Sequence, residues 1–297
     1  RFLSVGQVAA VGIHKQASSA DLSPRSRLFC MPPALFRRDG HRVSPGPLCT
    51  GPWDPKAMHG GPPSLLVGRY LAEHGAGTDY HLARLTVELV RPVPLETLSV
   101  TVREVRMGRR IQLLDAVVTD PSGIEVVYAR GMRILREANG IDPSGVPQPG
   151  LPDVVGPEDA TPYHHAYPLR SGGFYMDAFD LRSADGRSFA ALGPSAAWFR
   201  LTADVFDGEP VTAIDRVIAV SDFGNGISNV VDAADHLYIN PDLTINIHRP
   251  PDGEWVLNDA VTVVTSDGYG TATGTLYDRD GRVGMANQSL LVAAQPR

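Results

Sequence analysis

The chain repeats itself. Residues 85–92 read LTVELVRP and residues 243–250 read LTINIHRP, an offset of 158 positions. The same offset lays Asp120-Pro-Ser-Gly123 on Asp278-Arg-Asp-Gly281, and it needs no net insertion between Leu85 and Leu135. Repetition on this scale restricts the fold more than composition does, because each copy must be a unit that packs on its twin. Two units of roughly 150 residues fit a chain of 297.

Each copy follows one plan. An alternating strand opens it, with Leu85, Val87 and Leu89, or Leu243, Ile245 and Ile247, on one face, and Arg-Pro ends it. Further strands are predicted at 97–106, 111–119 and 124–135 in copy one, and at 256–265, 270–277 and 282–293 in copy two. The Asp-x-x-Gly before the last strand is a hairpin turn, whose glycine tolerates the positive φ such turns require. One Pro-led helix precedes each run. The first is predicted at 62–74, with Leu65, Leu66, Tyr70 and Leu71 as its apolar stripe; the second at 210–223 has Ile214, Val217, Ile218 and Phe223. Before each helix comes a strand-like stretch ending in tryptophan, Trp53 or Trp198.

A central helix wrapped by a curved antiparallel sheet is the hot-dog fold, so two copies predict an α+β double hot-dog. Repeat 1 is expected over 31–137 and repeat 2 over 163–297. Between them, 138–162 is rich in Pro, Gly and Asp and reads as an exposed linker. Gly and Pro, 30 and 25 residues, suit a fold of many turns rather than a long helical bundle. Residues 1–30 read as an extension upstream of a folded unit that Met31 opens. Their apolar run, VGQVAAVGI at 5–13, fits a signal peptide poorly, being interrupted by Gln7 and followed by His14 and Lys15.

Charge and motifs exclude several functions. With 27 Lys+Arg against 33 Asp+Glu, the net charge of −6 argues against a nucleic-acid partner. No run of 18 apolar residues suggests a membrane-spanning helix. Cys30 and Cys49 form no C-x-x-C, and two cysteines need no disulfide framework, so a reducing, cytoplasmic setting is expected. No G-x-S-x-G, H-E-x-x-H or P-loop is present. The run from Gly268 to Gly274 misses the dinucleotide-binding spacing by one residue. His164 and His165 are adjacent, so on an extended segment their side chains point apart and suit no metal. No metal or cofactor is expected.

Several motifs remain: Trp53…His59-Gly60-Gly61 in copy one, and in copy two His248-Arg249-Pro250, Glu254-Trp255, Gly274…Tyr277-Asp278-x-Asp280-Gly281 and Asn287-Gln288. Through them, residues 35–295 resemble the acyl-CoA thioesterase II family, the TesB-like double hot-dog thioesterases. The resemblance implies hydrolysis of acyl-CoA thioesters to free acid and CoA, with no metal and no covalent intermediate. It implies a water held by a helix Asp, a strand Gln and a hydroxyl residue. On this chain the Asp falls on Asp222 and the Gln on Gln288. The hydroxyl position falls on Asn240, whose amide can orient a water but cannot relay a proton as a hydroxyl does. His59, Gly60 and Gly61 are implied at the substrate, and a homodimer or larger homo-oligomer is implied as the assembly.

The residues suit that chemistry. A carboxylate can draw a proton from water, amides can hold the water in line, and a helix N-terminus can stabilise an oxyanion. The repeat is asymmetric here. The 158 offset sets Arg130 against Gln288 and Leu82 against Asn240, and residues 62–72 of the first helix hold no carboxylate. One water-activating site per chain, supplied by copy two, is therefore expected.

Plainer readings stand beside this one. Asp222 could cap its helix, Gln288 could be an exposed strand residue, and Asn240 before Pro241 could start a turn. Gly60 and Gly61 require a close backbone approach, to a thioester oxygen or merely to the sheet. Arg249 suits a structural ion pair better than a CoA phosphate. Asp54 and His59, five apart, match the spacing of double hot-dog hydratases but lack their intervening Asn-Pro-aliphatic core. A double hot-dog that binds acyl thioesters without turning them over is the other alternative.

Overall fold

The computed structural model describes residues 33–75, 79–163, 172–189, 191–232 and 235–295. The proposed extension at 1–30, Cys30 and the His164-His165 pair lie outside the described residues. In copy one, the strands β1 (Ala34–Asp39) and β2 (Arg42–Pro45) precede the helix α1 (Gly61–Glu73). Four strands follow: β3 (Tyr80–Leu89), β4 (Leu98–Met107), β5 (Ile111–Thr119) and β6 (Glu125–Leu135). Copy two begins with short pieces: β7 (Thr161–Pro162), α2 (Phe174–Asp177), β8 (Phe179–Ser183), β9 (Ser195–Leu201) and β10 (Asp204–Phe206). It continues with α3 (Ala213–Ser221), α4 (Gly224–Ile227) and β11 (His236–Ile239). The second set of four strands is β12 (Asp242–Ile247), β13 (Trp255–Val264), β14 (Tyr269–Asp278) and β15 (Gly281–Ala294).

The sheet order displays the repeat. Copy one contributes β4-β5-β6-β3, and copy two answers with β12-β15-β14-β13. β3 and β12 are joined antiparallel, pairing Val87 with Leu243, Thr86 with Thr244 and Leu85 with Ile245. Thr86 and Thr244 are 158 residues apart, so the joint is symmetric about that pair. All the described pairings are antiparallel except β1 with β10, which makes the sheet mixed. This is the α+β double hot-dog that the repeat predicts.

Helix α1 packs on β3–β6 and α3 on β12–β15, and the two helices touch. They meet where a side chain on Gly68 would collide with Ile218 Cδ1. Leu65, Leu66 and Leu71 of α1 join Val217 and Ile218 of α3, with Leu85 and Ile245 beneath them, in one buried cluster. Each such side chain contributes roughly 1.5–3 kcal/mol relative to exposure. Among the described residues, no helix is long and apolar enough to cross a membrane.

Three expectations are corrected in detail. The second helix is shorter than 210–223, because Thr212 is extended and caps it: its side chain accepts from Asp215 N–H while the Asp215 carboxylate accepts from Thr212 N–H. Second, Trp198 lies within β9 rather than at its end, and Trp53 ends no strand.

The third concerns register. Thr86 pairs with Arg130, whereas Thr244 pairs with Asn287. The hairpin turns explain the slip: Asp120 N–H reaches Ile124 O, while Asp278 already pairs with Gly281. Copy two has one residue fewer in this turn, so its last strand runs at an offset of 157. The counterpart of Gln288 is therefore Gly131, not Arg130. A one-residue slip reverses the face a side chain occupies. Arg130 accordingly bonds to Asp115, while Gly131 packs under Leu71.

Residues 138–153 of the expected linker are largely exposed, but its end is docked. Trp198 Nε1 donates to Val155 O at 2.8 Å and Arg182 to Pro157 O at 2.8 Å.

Candidate active site

Asp222 follows the last turn of α3 and is 3% exposed. The strand β15 carries β12 along residues 284–287 and β11 along 291–294. Between those pairings, Gln288 faces inward and the corner at Asn240-Pro241 bends past it. This geometry brings both amides to one carboxylate. Asn240 Nδ2 donates to Asp222 Oδ1 at 2.7 Å, and Gln288 Nε2 donates to the same oxygen at 3.1 Å. Asn225 N–H donates to Gln288 Oε1 at 3.2 Å, which fixes the amide with its nitrogen toward Asp222. Asn240 also donates to Asp242 O at 3.1 Å, so its orientation is set twice.

The other carboxylate oxygen faces copy one. His59 Nδ1 lies 3.0 Å from Asp222 Oδ2. Gly61 N lies 3.1 Å from the same nitrogen, and one nitrogen cannot both donate to the carboxylate and accept from Gly61. A carboxylate offers only acceptors, so the Nδ1 facing it carries the proton. A Cβ at Gly60 would lie 2.7 Å from Oδ2, so only glycine lets the start of α1 approach this closely. Gly61 answers to another neighbour: its Cβ would strike the ring of Phe174. The sequence candidates Asp222, Gln288, Asn240, His59 and Gly60 therefore converge, with Gly61 one residue further on.

A cavity of about 360 Å³ opens beside the carboxylate. Both copies line it, with Trp53, Met58 and Leu89 from one and Tyr175, Phe223 and Tyr238 from the other. Trp53 meets Tyr238 edge-on at 5.4 Å, and His59 stacks on Phe223 at 5.4 Å. Of these aromatic walls the sequence pointed to Trp53 and Phe223, while Tyr175, Tyr238, Asn225 and Phe174 carried no signal of their own. Phe223-Gly-Asn-Gly, just beyond the helix, was the local signal: a Cβ at Gly224 would lie 2.8 Å from Gln288 Oε1.

Asp54, the hydratase alternative, is exposed, and its carboxylate accepts from Lys56 N–H at 2.8 Å, whereas the carboxylate at His59 Nδ1 is that of Asp222. Arg249 grips Asp278 through both guanidinium nitrogens, at 2.5 and 2.6 Å. That matches its plainer, structural reading.

The start of α3 has very different surroundings from the start of α1. Arg69 pairs with the fully buried Asp215 at 2.5 Å and with Glu73, and Arg38 joins Glu73 and Glu209 at 2.8 and 2.6 Å. Burial pushes the Asp215 carboxyl above its ordinary value despite Arg69. Burial also pushes Glu73 up, but Arg38 and Arg69 outweigh it and hold Glu73 below the ordinary value. At the copy-one strand positions Leu82 and Gly131 offer no polar side chain. Among the described residues, only the copy-two cluster combines a carboxylate, two amides and a cavity.

Fold and cavity together define a double hot-dog protein with an acidic centre shared by its two copies. Comparison with family models matches residues 49–134 to an acyl-CoA thioesterase N-terminal domain and residues 157–292 to an acyl-CoA thioesterase C-terminal domain. The chain belongs to the TesB-like double hot-dog acyl-CoA thioesterase family.

Solved structures share the fold. A candidate thioesterase from Novosphingobium aromaticivorans is 22% identical, with a TM-score of 0.69, covering 86% of this chain and 98% of that one. A hot-dog protein from Alicyclobacillus acidocaldarius is 16% identical, with a TM-score of 0.69 over 88% and 96% of the two chains. An acyl-CoA thioesterase II from Mycobacterium marinum is 16% identical, with a TM-score of 0.62 over 87% and 96%. A search of curated proteins finds no match.

Proposed function

We propose that the cavity hydrolyses acyl-CoA thioesters with a water held and deprotonated by Asp222. The convergence of Asn240, Gln288 and His59 on one carboxylate is the observation that carries this reading. The three contacts hold the carboxylate still beside the cavity, the fixed geometry that proton abstraction from a bound water requires. The water's oxygen bonds to the thioester carbon, and Asp222 takes one of its protons. The tetrahedral oxyanion is stabilised by the N-terminus of α1 at Gly60 and Gly61. The C–S bond then breaks, and the proton held by Asp222 leaves with the CoA sulfur. The amides position the water and the base, a role that demands geometry rather than a particular pKa.

Thiol release from a panel of acyl-CoAs, short to long, straight and branched, tests this. Asp222→Asn is expected to lower kcat at least about a hundredfold while acyl-CoA still binds. Turnover unchanged in that variant would refute the assignment. One observation favours a second reading, a binder without turnover: both oxygens of Asp222 are already engaged by protein donors. Wild-type retention of acyl-CoA with no thiol release would establish it.

A further inference from the structure

A second groove, of about 710 Å³, lies at the opposite end of the strands that join the two copies. Leu89 lines the carboxylate cavity and His81 lines this groove, and both lie on β3. At about 3.3 Å per residue they are roughly 25 Å apart. Basic side chains from both copies meet here: His81 and Arg136 from the first, His248, Arg249 and Arg282 from the second. Glu137 is the only carboxylate in the lining, and it lies 3.5 Å from Arg110 and 3.9 Å from Arg109. Arg249 is neutralised by Asp278. Arg136 and Arg282 make no side-chain hydrogen bond or ion pair among the described residues.

Both histidines bond to the backbone, His81 at Ile247 and His248 at Arg282. His81 Nε2 lies 2.7 Å from Ile247 O, a carbonyl, so that nitrogen is the donor. Its Nδ1 is buried and has no partner. Burial, then Arg136, holds the His81 imidazole below its ordinary value; burial, then Arg249 and Arg282, does the same for His248. In a chain of net charge −6, the positive potential of this groove therefore comes from Arg136 and Arg282.

We propose that this groove is a phosphate site, taking the phosphate groups of a small phosphorylated ligand. Two guanidinium forks without a protein partner, Arg136 from one copy and Arg282 from the other, suit the paired oxygens of a phosphate or diphosphate. Ala83 and Gly284 line the groove without side chains long enough to obstruct it. The ligand could be the nucleotide end of an acyl-CoA whose acyl end lies in the first cavity, or a separate phosphorylated molecule. The chemistry of recognition is the same.

Calorimetric titration of pyrophosphate and of adenosine 3′,5′-bisphosphate into the wild type and an Arg136→Gln/Arg282→Gln variant tests it. Saturable binding is expected in the wild type, weakened at least about tenfold in the variant, with Tm unchanged because both arginines lack structural partners. Thioester hydrolysis then separates the two sources, using an acyl-CoA and the matching phosphate-free acyl-cysteamine thioester. A KM increase confined to acyl-CoA assigns the groove to the substrate's own nucleotide; unchanged KM for both assigns it to a separate ligand. Absence of saturable binding in the wild type, or equal binding by the variant, overturns the proposal. The titration does not depend on turnover, so its result stands apart from that for Asp222.

Discussion

Asn240 and Asp222 are 18 residues apart in sequence, and the amide of one donates to the carboxylate of the other at 2.7 Å. Because Asn240 also holds Asp242 O, its side chain braces the carboxylate rather than swinging freely. Asn240→Ala is expected to lower kcat by about a hundredfold, the cost of a misplacement of about 1 Å at a reacting group. Asn240→Thr restores a donor and is expected to recover most of that loss. Asn240→Asp places a second carboxylate against the first and is expected to be the least active of the three at neutral pH. Steady-state thiol release, with Tm as a folding control, measures all three.

Gly60 has helical backbone angles, φ −65° and ψ −25°, so alanine fits its conformation. The obstacle is steric, since the added methyl would lie 2.7 Å from Asp222 Oδ2. Overpacking of this kind costs about 1–3 kcal/mol. Gly60→Ala is expected to lower kcat by tenfold or more, because the shifted group is the base itself. Kinetics and denaturant unfolding on the same preparation would show whether activity falls further than stability.

Gly68 and Ile218 test the contact between the two helices. Alanine at an interior helix position gains about 1 kcal/mol over glycine, but here its methyl runs into Ile218 Cδ1. Gly68→Ala alone is expected to destabilise. Ile218→Val removes the colliding atom, so the double variant is expected to be more stable than the sum of the single changes predicts. A double-mutant cycle in urea reads the coupling directly.

Asp115 governs an acid-side contribution to stability. Its carboxyl is held well below the ordinary range, foremost by Arg130, then by Arg103 and Tyr128. A carboxyl lowered by folding stabilises the fold above its unfolded value and loses that stabilisation as pH falls toward the folded value. Asp278 has the same sign: burial raises it, but Arg249 and the backbone N–H groups of Asp252 and Asp280 outweigh burial. Asp115→Asn is therefore expected to flatten, without abolishing, the loss of unfolding free energy between about pH 5 and 2. Denaturant unfolding across that window checks it. Arg103 and Arg130 are 70% and 40% exposed, so added salt is expected to shrink the difference between the two proteins.

The strands and helices were legible because their patterns are local. Alternation places β3 and β12, and Pro-led apolar stripes place α1 and α3. The register of the last strand was not legible, since Asp-x-x-Gly reads alike whether its turn holds two residues or three. That single residue moves the counterpart of Gln288 from Arg130 to Gly131. At the site, resemblance located Asp222, Gln288 and Asn240 on copy two. The His59 contact to Asp222 spans 163 positions between copies, and no local pattern encodes it. Nor did any local pattern assign Gly61 to Phe174, which depends on copy two folding back over copy one.

The joint at Thr86 and Thr244 has a consequence for how such a protein can change. In a dimer of identical chains, any substitution that reshapes one cavity reshapes its rotational mate too. Here the two mates are written in separate stretches of one polypeptide. The Arg69–Asp215 end is free to become a charged clasp, and the Asp222 end to keep its hollow, with neither constrained by the other's needs. Carried on one chain, the symmetry no longer copies every mutation, and each half keeps its own.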